Sequence, residues 1–180
     1  MMRLNALILI LFLSGCGGAA APDPKTFDLG LNTPSTSLPA VRIASVRAVP
    51  PFDSIDMHYR LAWRNAAEIA AYANSRWAAT PAELLRKQLL RAAGEKSGKC
   101  RLDIELQEFT QVFASKESSE ARVELRASLA HAAGNSSRSL TIAESNAGAQ
   151  AASGAAALAR AVDKAIHELS AWVAAQPACR

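Results

Sequence analysis

Arg101-Leu102-Asp103-Ile104-Glu105-Leu106-Gln107-Glu108-Phe109-Thr110-Gln111-Val112-Phe113 is the stretch that decides the fold. Leu102, Ile104 and Leu106 recur at every second position, with Asp103 and Glu105 between them. That period belongs to a β-strand with one face in the core and the other in water, because successive side chains leave a strand on opposite sides. After Gln107-Glu108 the phase slips by one, so that Phe109, Gln111 and Phe113 align, which is what one inserted residue, a β-bulge, does to a strand. Arg122-Val123-Glu124-Leu125-Arg126-Ala127-Ser128-Leu129 alternates in the same way. The polar Lys116-Glu117-Ser118-Ser119 between the two runs supplies a turn, and together they read as an antiparallel hairpin. Past a turn at Gly134-Asn135, Ser139-Leu140-Thr141-Ile142-Ala143-Glu144 is a third, shorter strand.

Helical signals lie on either side. Upstream, Thr80-Pro81-Ala82-Glu83 is a capping box, with Thr80 as cap, Pro81 at the first helical position and Glu83 returning to the cap amide. The helix runs over residues 81–93, buries Leu84, Leu85, Leu89 and Ala92, and stops at Gly94. Downstream, residues 153–175 form a long Ala-rich amphipathic helix with its apolar line through Leu158, Val162, Ile166, Leu169 and Val173. Such a stripe docks on a membrane, on a partner helix or, most commonly, on the domain's own sheet.

Further upstream, residues 41–49 are rich in β-branched side chains and stop at Pro50-Pro51, as a first core strand does. Residues 56–63 alternate for several positions, and residues 68–72 either pair with them across Arg64-Asn65 or begin a helix. The order strand, hairpin, helix, three antiparallel strands, helix predicts an α+β fold: a mainly antiparallel sheet with two principal helices packed on one face.

Composition agrees with one such domain. The chain has 180 residues, half of them hydrophobic and 6% aromatic, with 20 Lys+Arg against 16 Asp+Glu and a net charge of +4. These values exclude a polytopic membrane protein, a collagen-like repeat and a highly charged disordered tail. The basic residues are interleaved with acidic ones rather than gathered in a stripe, which argues against a nucleic-acid partner.

The N-terminus has a different composition. Arg3 precedes the eight-residue apolar run Ala6-Leu7-Ile8-Leu9-Ile10-Leu11-Phe12-Leu13, followed by Ser14-Gly15-Cys16. The run is far short of the roughly 20 residues that span a bilayer, and a charged start with a small-residue exit describes a secretory signal over residues 1–15. Leu13-Ser14-Gly15-Cys16 resembles the bacterial lipobox, in which the Cys thiol receives a diacylglycerol and the peptide is cut before it; the competing reading is an ordinary signal with an incidental Cys. Acyl chains on Cys16, each worth about 0.8 kcal/mol per buried methylene, anchor without spanning. Residues 16–25 then form a lipidated tether and residues 26–180 a single domain. Gly17 stands where inner-membrane retention often shows Asp, so the expected location is the periplasmic face of the outer membrane.

Once Cys16 is lipidated, Cys100 and Cys179 remain in an oxidising compartment, where an even pair favours a disulfide over free buried thiols. A metal site is the weaker alternative, because two Cys and the scattered His58, His131 and His167 have no ligand spacing. No GxSxG elbow, phosphate loop or HExxH is present, and the expectation is a protein that is not an enzyme and carries no cofactor beyond its covalent lipid.

Several short motifs carry a family resemblance: the lipobox at Cys16; Phe27-Asp28-Leu29-Gly30; Met57-His58-Tyr59-Arg60; Tyr72-Ala73-Asn74-Ser75-Arg76-Trp77-Ala78 before the Pro-started helix; Glu108-Phe109; and Trp172-Val173 late in the last helix. In these the chain resembles the ABC-type transport auxiliary lipoproteins, the PqiC-like group associated with MCE-domain lipid transporters. The resemblance implies a non-enzymatic envelope component that works with an ATPase, a permease and an MCE-domain protein to move phospholipid or another lipid between membranes. It would hold or receive the periplasmic conduit at the outer membrane, with homo-oligomeric ring assembly conceivable. The chain has few large apolar residues to line a cavity, which favours a scaffold over a direct lipid carrier. Tyr72, Arg76 and Trp77 become candidate partner or lipid contacts, since Arg and Trp are enriched in binding hot spots and Arg pairs with phosphate. The structural alternative is that Trp77 packs beneath the following helix and Arg76 meets a local acceptor. A second functional class is an envelope-assembly lipoprotein that binds peptidoglycan or another outer-membrane protein.

Overall fold

The computed structural model describes residues 23–94, 98–146 and 148–179. Its seven strands are β1 (Lys25–Phe27), β2 (Val41–Ala48), β3 (Asp56–Leu61), β4 (Ala70–Trp77), β5 (Cys100–Phe113), β6 (Ser119–His131) and β7 (Gly134–Asn146). The helices are α1 (Ala62–Asn65), α2 (Pro81–Ala93) and α3 (Ala151–Ala174), followed by a 3-10 turn, Pro177–Cys179. The result is the expected α+β fold with two long helices, and its two longest ladders, β5 with β6 and β6 with β7, are antiparallel.

β5 is the axis of the sheet. One edge takes β6 along its whole length. The other edge is shared: β2 lies parallel to the first half, from Val41 opposite Cys100 to Ala48 opposite Leu106, and β3 lies parallel to the second half, from His58 opposite Thr110 to Leu61 opposite Phe113. The bulge falls at the changeover, because the β5–β6 register shifts between Leu106 and Glu108. The extra residue turns the strand at the point where its second partner changes. β4 pairs antiparallel with β3, and β1 lies parallel to β4 at the sheet edge.

The core follows the period-two rows. Leu102, Ile104 and Leu106 sit opposite Leu129, Ala127 and Leu125, all buried. Val123 and Leu125 in turn oppose Ile142 and Leu140. α3 packs across β6 and β7, and its Ala157, Ala161, Ala165 and Ile166 are fully enclosed. Alanine at the first three of those positions keeps the helix surface thin, so backbone can approach sheet. α2 packs on β2 and touches α3. Its capping box is formed: Thr80 N donates to Glu83 Oε2 (3.0 Å), and Glu83 N donates to Thr80 Oγ1 (3.4 Å). The hydrogen bond from Thr80 holds the Glu83 carboxyl below its ordinary value.

Two local expectations change and one open alternative is decided. The β6–β7 turn is Ala132-Ala133, with His131 paired to Gly134, rather than Gly134-Asn135. β7 runs over thirteen residues, because pairing with β6 carries the polar residues before Leu140 into the strand as well. Residues 70–77 are a strand throughout, so the hairpin reading of the segment after Arg64-Asn65 holds, with α1 inserted between its arms.

Candidate functional site

The loop over residues 28–35 leaves β1 and is strapped to both long helices. Gly30, at φ +83°, makes the turn that lets Gly30 N donate to Asp28 Oδ1 (2.7 Å). Ser35 donates its N and Oγ to the two carboxylate oxygens of Asp163 on α3 (2.8 and 2.7 Å). Thr36 Oγ1 meets His167 Nδ1 at 3.0 Å, and Ser170 Oγ donates to the Ser37 carbonyl at 2.9 Å. From α2, Arg91 Nη1 donates to the Gly30 carbonyl.

Between this loop and the first half of α3 lies a groove of about 990 Å³, with Ala155, Ala156 and Ala159 on one wall and Phe27 and Leu29 on the other. On its rim Glu144 Oε1 accepts from Arg160 Nε (3.1 Å) while Lys164 Nζ holds the second oxygen. Lys164, and after it Arg160, keep the Glu144 carboxyl below the usual range against the opposing effect of burial. Gln88 of α2 lines the groove at 5% exposure, and its Oε1 has no hydrogen-bond partner among the described residues. Among the described residues no three His, Cys, Asp or Glu side chains cluster to hold a metal. The groove's lining joins small apolar side chains of α3 to a charged rim of Glu144, Arg160, Asp163 and Lys164.

Trp77, Tyr72 and Arg76 do not share one surface. Trp77 is 1% exposed and packs on Phe109, ring centroids 5.4 Å apart. Arg76 is exposed, at the register position between Thr26 and Asp56. Tyr72 is half-buried, packs at a tilt against Tyr59 with ring centroids 4.7 Å apart, and donates its hydroxyl to Gln111 Oε1 at 2.8 Å. Tyr72 and Trp77 both reach the apolar side although they are five residues apart. From the pair Asp56–Arg76 to the pair His58–Ala71, β4 takes five steps against two on β3, and that odd excess flips its phase.

Gln111 links this wing to the rest of the fold. Its Nε2 donates to Ser119 Oγ (2.8 Å) and the Gly148 carbonyl (3.1 Å), and Asn146 Nδ2 donates to the same carbonyl (2.9 Å). Gly154 in the first turn of α3 makes room for it, since a Cβ there would collide with the Gln111 amide. Burial, with a smaller contribution from Tyr59, raises the Tyr72 phenol to about 12.

Cys100 and Cys179 form the disulfide, with Cα atoms 5.4 Å apart, tying the turn after α3 to the start of β5. Cys16 and the signal and tether residues up to 22 lie outside the described residues.

Sequence reasoning passed over Gln88. It stands four residues after Leu84 and three after Leu85, on the apolar face of α2, so a polar residue in a buried row was the available signal. The groove itself had none, because its walls are separated by more than a hundred residues of chain.

No family model matches this chain, and no curated protein does. Two solved structures share its fold. One, a Xanthomonas campestris protein of family DUF330, is 22% identical over 83% of this chain and 94% of that one, with a TM-score of 0.70. The other, described as an uncharacterized protein, is 11% identical over 84% of this chain and 99% of that one, with a TM-score of 0.67. At these identities the likeness establishes the fold.

Proposed function

We propose that this chain is a lipid-anchored auxiliary component of an ABC transporter, docking the periplasmic conduit of an MCE-domain protein at the outer membrane during intermembrane lipid transport. The observation that carries the reading is the convergence of two independent likenesses. The motifs from Cys16 to Trp172 resemble the PqiC-like lipoproteins, which form family DUF330, and the fold is that of a DUF330 protein. Lipidation at Cys16 keeps the domain at one membrane, and the ATPase and permease supply the energy. The alanine-walled groove between the 28–35 loop and α3 offers the conduit a receptor for an extended apolar segment, which accords with a scaffold rather than a lipid carrier.

The test is in-cell photo-crosslinking from Ala156, in the groove wall, and from exposed Arg76, followed by identification of what is captured in outer-membrane fractions. Capture of an MCE-domain protein or of phospholipid supports the reading. Capture of peptidoglycan-linked or assembly proteins from the same fractions replaces it with the envelope-assembly role.

A further inference from the structure

Trp63 is 45% exposed on α1, a four-residue helix with no buried side chain. Two cations attend its ring: the Arg64 guanidinium 5.8 Å and the Lys116 ammonium 6.0 Å from the centroid. The turn that presents it is pinned from below. Arg60 Nη1 donates to the Ala66 carbonyl (3.3 Å), while its Nε and Nη2 grip both Glu108 oxygens (2.8 and 2.9 Å). An indole held outward on a fixed turn between two cations is the arrangement that sits at a membrane–water interface, where the ring is half apolar and half wet.

Topology places this feature at the end of the sheet toward which the N-terminal end of β1 points. β1 runs parallel to β4 and β4 antiparallel to β3, so the N-terminal end of β1 and the C-terminal end of β3, with α1 beyond it, point the same way. Lys25 lies opposite Ser75, and Ala70 opposite Tyr59. The intervening stretch of β4 is about 15 Å at strand spacing. Fully extended, the chain from Cys16 to Lys25 reaches at most about 30 Å. A bilayer holding Cys16 is therefore within reach of Trp63.

The charges around the indole narrow the lipid. Glu68 is on the turn after α1, and Glu117, which accepts from Ser115 Oγ at 3.2 Å, follows Lys116, so the surface carries both signs. A zwitterionic headgroup layer answers both, its phosphates to Arg64 and Lys116 and its ammonium groups to Glu68 and Glu117.

From this we infer that the α1 end of the sheet rests in the zwitterionic headgroup layer of the membrane that holds Cys16, with Trp63 as the inserted side chain. The inference rests on the lipoprotein reading above. It fixes the orientation of the domain: the sheet stands on its α1 end, and the disulfide end points away from the membrane.

The test uses the mature protein purified from cells and reconstituted in vesicles of zwitterionic phosphatidylethanolamine and phosphatidylcholine, with and without lipids brominated near the acyl carbonyl. Trp77 and Trp172 are both buried, so subtracting the emission of Trp63→Phe isolates Trp63. Seating in the interfacial layer is expected to shift that component to the blue and quench it about twofold with brominated lipid. Unchanged emission from protein whose mass shows acylated Cys16 overturns the inference and leaves the anchor standing. An unmodified Cys16 in the same spectrum overturns the anchor and the inference together.

Discussion

The β5–β6–β7 ladder and the β1–β4–β3 wing are built on opposite principles. In the ladder, strands adjacent in sequence are adjacent in space, the β6–β7 pairing runs unbroken from His131–Gly134 to Ser119–Asn146, and the row facing the core has an apolar centre in Val123, Leu125, Leu140 and Ile142. In the wing, β1 has three residues, β3 changes register against β4, and β3 pairs in parallel with residues of β5 that lie 52 positions away. The ladder is held by its own periodic side chains. The wing is held by polar contacts that span the chain: Arg60 on Glu108 and Tyr72 on Gln111.

The largest effect tests what joins the ladder to the C-terminal helix. Cys100→Ser with Cys179→Ser opens a loop of sequence separation 79. Chain entropy puts the loss at about 4–5 kcal/mol, to be read as a lower denaturant midpoint that reduction of the wild type reproduces. Next, Leu125→Ala empties a site 1% exposed between Leu106 and Leu140, and is expected to cost about 3 kcal/mol in equilibrium unfolding. Arg60→Lys keeps the charge of the wing's ion pair but loses its two-pronged grip on Glu108, for a loss of about 1–2 kcal/mol in the same assay. A loss as large as that of Leu125→Ala would show that the wing and the ladder are held with equal strength.

The smallest effect is one of pH. Burial, opposed by Asp56, lowers the His58 pKa in the folded wing, and the ring lies edge-on to Phe52 at 5.6 Å. The unfolded chain therefore binds the proton first as pH falls through about 6.5, so stability present at neutral pH declines below it. His58→Gln should flatten the stability profile between about pH 7 and 5. The later loss in the carboxylate range, where Lys164 hydrogen-bonded to Glu144 and Ser45 hydrogen-bonded to Asp103 lower those groups, should stay unchanged.

Legibility in the sequence followed the same division. The β5 alternation, its bulge at Gln107, the β6 strand and the Thr80 capping box all appear in the structure where the residues predicted them. Each depends on neighbours within four positions. Tyr72, Arg76 and Trp77 share one short motif, but strand alternation puts Trp77 inside and Arg76 outside, and the phase flip in β4 brings Tyr72 to the side of Trp77. The pairing of Cys100 with Cys179 was legible from compartment and parity, without geometry.

By itself, the sequence determined the class of the fold, the sheet rows that face the core, the cap of α2 and the partner of each cysteine in the domain, because periodicity, capping and parity act on residues whatever lies across from them. Only tertiary structure decided that β2 and β3 share one edge of β5, that a groove opens between the 28–35 loop and α3, that Gln88 lines it, and that Trp63 stands exposed beside two cations. Those features depend on which distant surfaces meet. A strand's hydrogen-bonding edge is the same backbone in every sequence, so its choice of partner is settled by the packing of the whole core.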